Sequence, residues 1–213
     1  MKLIGYRLVG QDNGSVMFKD TESRPLCPVS TALLLPDERT DLYDDVLQDS
    51  SEPKTCPTCG WRLNFQAHNS NYILRSTKRD ISETYDGQTI VTNRFREYCL
   101  NEKYSGIRFL PFLNDENHFH LVVEKIIEFD QVNGRTWAGN ICISCGNYDF
   151  VGVSKPYRLI AQESISDDFY RTDLCFAHGN EKHPLIIVGI DTKDKLKAAG
   201  LKGLEFSPVY GIE

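Results

Sequence analysis

Long apolar runs are missing from this chain of 213 residues. No stretch approaches the roughly 20 apolar residues of a membrane-crossing helix, and the opening residues, Met1 to Val9, hold no apolar core of signal-peptide length. The expectation is a cytoplasmic protein with no membrane partner. Surplus positive charge is missing too. Lys and Arg number 24 against 30 Asp and Glu, a net charge of -6. Seven acids and one base, Arg39, fall in one stretch, Asp37 to Glu52, so the remaining chain carries 23 bases and 23 acids. Nucleic-acid binding needs a basic stripe that neutralises phosphates, and none is left over. Catalytic signatures are also absent: there is no GxSxG elbow, GxxxxGK[ST] loop, GxGxxG turn, HExxH helix or EF-hand loop. Nothing marks the chain as an enzyme.

What the chain has is cysteine in a pattern. Of seven cysteines, four form two CxxCG motifs, Cys56-Pro-Thr-Cys59-Gly60 and Cys142-Ile-Ser-Cys145-Gly146. Each motif presents two thiols from one tight turn. The glycine after the second Cys lets the backbone fold back so that its amides approach the sulfurs. Four thiolates brought together in this way make a tetrahedral zinc site, and a closed Cys₄ site is usually structural. A thioredoxin-like redox pair would need only one CxxC, at the head of a helix, whereas both motifs run on into polar or extended sequence. An odd cysteine count with two CxxC pairs favours metal over disulfides, in keeping with a reducing compartment. Eighty-two residues separate Cys59 from Cys142. That is too long for a compact finger, so the knuckles must meet through the tertiary fold.

Sliding the chain against itself shows how they could meet. At an offset of 97 residues, IVTNRFREYCLNEKYSGIRFLPF (Ile90 to Phe112) aligns without gaps on IVGIDTKDKLKAAGLKGLEFSPV (Ile187 to Val209), with five identities in 23 positions. Each copy reads strand, helix, glycine, strand, ending at an x-Pro stop. In the second copy Asp191 is expected to N-cap the helix, with Asp194 at N3, and Gly200 to take the left-handed C′ position with Leu201 as its apolar contact. Phe109 and Phe206 are expected between sheet and helix. Leu3 to Val9 reads as a strand, turning at Asp12-Asn13-Gly14 into a second at Ser15 to Phe18. A short helix is expected near Asp41 to Leu47, and strands at Asn71 to Leu74, Gln88 to Val91, Phe119 to Phe129 and Pro156 to Gln162. The composition, 40% hydrophobic with 11% aromatic residues, is that of a globular chain with a real core. The expected fold is a single α+β domain over 1–213, with mixed sheets and a few short helices. It is read as two related halves, 56–112 and 142–209, joined by a Cys₄ zinc site.

CPTCG and CISCG, with the long spacer and the C-terminal AGLKGLEFSPV, resemble the double-CxxCG motif proteins of bacteria. The segment Ile187 to Val209 is also similar to the tail of a family of immunity proteins from polymorphic toxin systems, which bind a toxin and protect the cell that makes it. The resemblance implies that Cys56, Cys59, Cys142 and Cys145 are the paired motif cysteines, and it brings no catalytic residue with it. The expected function is a cytoplasmic zinc-binding immunity protein that blocks a cognate toxin by direct contact. Asp41, Asp44, Asp45 and Asp49 of the acidic stretch would face the toxin's basic cleft and speed association. Two alternatives stand beside this reading: a zinc-ribbon module that binds nucleic acid, and a zinc-dependent enzyme with an open metal position.

Other chemistry-bearing residues read more plainly. His118 and His120 share a strand face by period two and are expected to be partly exposed on an edge strand. Cys175 and His178, with His183, have ligand-like spacing and form a second-choice metal site. Cys27 and Cys99 are expected to be small buried hydrophobes. Arg75, Lys78 and Arg79 read as a solvated turn.

Overall fold

The computed structural model describes residues 2–10, 55–64, 68–72, 79–84, 87–161 and 165–211. The expected Asp12-Asn13-Gly14 turn, the expected strand at 15–18, Cys27, the expected helix at 41–47, the four aspartates expected to bind a partner, Arg75 and Lys78 lie outside these residues. Among the described residues the fold is α+β, with two short helices and strands in two mixed or antiparallel sheets.

The smaller sheet holds β2 (Ile81–Glu83), β3 (Thr89–Thr92), β4 (Ile107–Phe112) and β5 (Asp115–Val123) in the order β2-β3-β5-β4. The larger sheet runs from β7 (Thr136–Ala138) through β8 (Phe150–Val153), β10 (Phe169–His178), β11 (His183–Val188), β1 (Lys2–Gly10) and β12 (Leu204–Gly211) to β9 (Tyr157–Leu159). A two-residue strand, β6 (Ile126–Ile127), pairs in parallel with the first half of β10. The helices are α1 (Asn93–Asn101), between β3 and β4, and α2 (Ile190–Ala198), between β11 and β12.

The segments aligned at an offset of 97 thus adopt the same elements in the same order, their helices opening at residues 93 and 190. The surrounding pairing matches as well. In the small sheet β3 and β4 flank β5, antiparallel to both, and β2 lies outside β3. In the large sheet β11 and β12 flank β1, antiparallel to both, and β10 lies outside β11. The central strand follows its unit in one case and precedes it in the other.

One core cluster joins these units. Phe95 and Cys99 of α1 and Leu196 of α2 pack with Val91, Leu121 and Val123 of the small sheet and Leu8, Ile186 and Val188 of the large one. Phe109 and Phe206 lie against this cluster, as their alternating strands predict. A second cluster, with Ile4, Phe129, Leu159, Leu185 and Ile187, covers the opposite face of the large sheet. β11 is therefore buried on both faces, which explains its unbroken Leu185-Ile186-Ile187-Val188 run. Ile4 and Leu8 serve different clusters despite equal parity, because a bulge between Leu3 and Gly5 shifts the register of β1.

Arg94 of α1 reaches across to the other helix. Its guanidinium donates to Asp80 (3.1 Å) and to the carbonyls of Ala199 and Gly200 (3.0 and 3.2 Å), so it caps the C-terminus of α2. Asp80 in turn accepts from Thr92, the N-cap of α1, and from the Lys202 amide.

Several expectations fail in detail. Gly189, not Asp191, occupies the N-cap of α2, which places Asp191 in the first turn and Asp194 beyond N3. The strands do not stop at their prolines: Pro111 pairs with Phe119 and Pro208 with Tyr6. β4 is an edge of its sheet among the described residues, and β9 joins β12 only from Val209 onward, so each missing N–H falls where no ladder bond is required. Asn71 and Tyr72 are not strand. They belong to a turn in which the Asn69 side chain accepts from the Asn71 amide. The expected strand from 119 to 129 is broken at Glu124 and Lys125 into β5 and β6. β5 is a central strand, and His120 is buried rather than half exposed, with its ring stacked on His68 at 5.5 Å. His118 is bonded to Asp115 at 2.8 Å.

Candidate metal centre

The two knuckles are built alike. In the first, the Gly60 amide donates to the Cys56 carbonyl and the Cys56 amide to the Trp61 carbonyl, both at 2.8 Å. In the second, Gly146 donates to Cys142 and Cys142 to Asn147, again at 2.8 Å. Bridges Thr55–Arg62 and Ile141–Tyr148 close the two turns. Gly60 and Gly146 have φ of +71° and +72°, the left-handed backbone that lets the chain fold back under its sulfurs.

The fold brings these knuckles together across 86 residues. Cys56 Sγ lies 3.8 Å from Cys142 Sγ, and Cys59 Sγ lies 3.6 Å from Cys145 Sγ. All four sulfurs lie within 4.8 Å of one another. The tips also touch, with the Thr58 and Ser144 hydroxyls 2.6 Å apart. Four sulfurs at about 2.3 Å from a central metal ion form a tetrahedron with edges of about 3.8 Å, so the spacing suits one ion. It is far beyond the roughly 2.05 Å of a disulfide. Neither motif opens a helix, which removes the geometry of a redox CxxC pair.

Electrostatics prepare the sulfurs unequally. The amide of Cys59, followed by that of Thr58, holds the Cys56 thiol down at about 6. The amides of Cys145 and Ser144 do the same for Cys142, lowering it from the usual thiol range. At Cys59 the Trp61 amide works downward, but burial and the crowding of the other three sulfurs outweigh it and push the thiol up to about 12. Negative charge collects easily on the first sulfur of each knuckle. A full set of four thiolates requires a cation among them.

One neighbour of the centre gave no sign in the sequence. Lys182 follows a single 3₁₀ turn, Gly179–Glu181, between β10 and β11. Its ammonium donates to the Tyr148 carbonyl and stands 4.1 Å from the centroid of the Trp61 ring. Burial pulls this lysine below its usual range, while Cys175, Cys59, Asp149 and Cys145 pull it back upward. A cavity of about 200 Å³ opens beside it, lined in part by Trp61, Tyr148, Asp173 and Cys175. Isolated in a turn between Glu181 and His183, Lys182 has no periodicity that could reveal its burial.

The second-choice metal site does not assemble. The burial of Cys175 pushes its thiol up to about 11, His178 stacks on Phe150, and His183 bonds the Glu181 carbonyl at 2.8 Å. Among the described residues, the four motif cysteines alone form a group of three or more such side chains able to hold a metal ion. Cys99 is buried, as a small hydrophobe should be. Comparison with protein-family models, curated proteins and solved structures finds no match.

Proposed function

We propose that Cys56, Cys59, Cys142 and Cys145 hold one zinc ion, and that the ion is a structural clamp in a binding protein rather than a catalyst. The observation that carries this reading is the closed set of four sulfurs. A catalytic zinc keeps one position for water or substrate, whereas four thiolates leave none. Tetrahedral sulfur coordination suits zinc or iron, so the test must identify the metal. Native mass spectrometry of the wild type should show one bound zinc, and both Cys56→Ser and Cys142→Ser should lose it. Metal retained in either variant, or iron in its place, sinks the shared zinc clamp.

The partner in this reading is a cognate toxin, and the chain is its immunity protein. Support comes from the resemblance of the Ile187 to Val209 segment to the tail of such proteins. The charge pattern adds to it: Asp41, Asp44, Asp45 and Asp49 lie in the acidic stretch Asp37 to Glu52, outside which the chain is neutral, with no basic surplus for nucleic acid. The reading expects a large toxin gene directly upstream, and the test is co-expression with its product. This chain should rescue growth, and neutralising the four aspartates should slow association and flatten its salt dependence. Growth arrest that persists in the presence of the chain ends the immunity reading and leaves the zinc clamp standing.

A further inference from the structure

One buried cation beside the metal centre lies on neither knuckle. Lys182 belongs to the corner between β10 and β11 and is 3% exposed. It touches both knuckles just past their second cysteines. Trp61, under its ammonium, lies two residues past Cys59, and Tyr148, whose carbonyl it meets, lies three residues past Cys145. Four thiolates around a divalent zinc leave two net negative charges. Cys56 is only 2% exposed, so part of that charge sits away from water and needs compensation from the protein. A lysine buried merely to fill space would place its ammonium toward solvent. This one directs its head group inward, between the ends of the two zinc turns.

We propose that Lys182 is a positioning residue of the metal centre: its charge offsets the net charge of the tetrathiolate, and its two contacts pin both knuckles to the β10–β11 corner. The proposal rests on the zinc reading above. Groups of this kind, outside the ligand set, typically change metal affinity by about 10- to 100-fold when removed.

The test compares zinc-loaded wild type with Lys182→Arg, Lys182→Met and Lys182→Gln. The readout is the rate of zinc transfer to a chromogenic chelator. Charge separates the variants: Arg keeps it, Met removes it, and Gln removes it but keeps a hydrogen-bond donor. The expected result is release about 10-fold or more faster for Met and Gln, with Arg close to wild type. Cobalt-loaded samples should keep the intense thiolate-to-cobalt bands in all four proteins, showing that the sulfur set is intact. Lys182→Gln matching wild type would overturn the proposal, because hydrogen bonding alone would then suffice. Lys182→Met matching wild type, or Lys182→Arg failing like Met, overturns it equally. A wild type that takes up neither zinc nor cobalt removes the metal reading itself and this proposal with it.

Discussion

Asp168 should be among the costliest polar side chains to remove. It immediately precedes β10 of the large sheet, and its carboxylate reaches the turn that leads into β4 of the small one. Oδ1 accepts from the Gly106 and Phe169 amides at 3.0 and 2.8 Å. Oδ2 accepts from the Ser105 amide and hydroxyl at 3.2 and 2.9 Å and from the Lys125 ammonium at 2.6 Å. In Asp168→Ala the Lys125 side chain, 39% exposed, can turn to water and the Ser105 hydroxyl can rotate. The Gly106 and Phe169 amides, both buried, cannot. A stranded buried donor costs about 1–3 kcal/mol, so the expected loss is about 2–4 kcal/mol, a large share of the 5–15 kcal/mol typical of a domain. Asp168→Asn keeps an oxygen for Gly106 and Phe169 but turns an N–H₂ toward the Ser105 amide, and should cost about 2 kcal/mol. Urea unfolding of the metal-loaded proteins at neutral pH measures both. The sign of the pH dependence follows from the same contacts. Burial alone would raise this carboxyl, but Lys125 and the Phe169 and Gly106 amides hold it below the usual carboxylate range. Its contribution is therefore complete above about pH 4 and fades as pH falls through the folded value. A loss under about 1 kcal/mol in Asp168→Ala, with an unchanged acid limb, would refute the reasoning.

Two further predictions concern single residues. Lys103 occupies the position after α1 that Gly200 holds after α2, and it adopts φ of +60° against +64° for the glycine. Left-handed backbone costs a side-chain-bearing residue about 1 kcal/mol, so Lys103→Gly should raise stability by about 0.5–1 kcal/mol in thermal unfolding, and a lower midpoint would contradict this. Burial, with smaller contributions from His68 and Arg108, pushes His120 down to about 3. The unfolded chain binds this proton near pH 6.5 and the folded chain does not, so stability should fall as pH drops from about 6.5 toward 3, by about 1.4 kcal/mol per unit. His120→Gln should flatten that slope in urea titrations at pH 5 and 7.

The parts of the fold that could be read in advance are those in which one local rule acts alone. The strand-helix-strand units were legible because periodicity, the exit glycine and the alternating final strand agree within 23 residues. The knuckles were legible because CxxCG specifies a turn, whatever surrounds it. The N-cap of α2 was not, since Asp191 and Gly189 both satisfy the local rule and the path of β11 decides between them. His120 looked half exposed because alternation along one strand is silent about neighbouring strands, and β3 and β4 on either side are what make β5 central. Lys182 was hidden for the same reason: its aromatic partner lies on a turn far away in sequence.

A metal held by the four motif cysteines need not hold the whole protein together. The first knuckle precedes the small sheet in the chain, and the second lies between β7 and β8 of the large one. Closing an 86-residue loop with a crosslink would be worth about 4–5 kcal/mol if the loop were otherwise open. Here it is already closed, because Phe95, Leu121, Phe169, Ile186 and Leu196 join the two sheets in one core without any of the four motif sulfurs. Most of the entropic gain is therefore spent before the metal binds, and the ion should act locally. Chelation should speed amide exchange first in 55–62 and 141–148, where few backbone bonds hold each turn, and leave α1, α2 and β11 protected. The midpoint of unfolding should fall only modestly. Simultaneous loss of protection in the knuckles and in Phe95, Leu196 and Val188 would mean that the core between the sheets does not stand without the clamp, and that the ion contributes folding energy to the whole chain as it does in small zinc fingers.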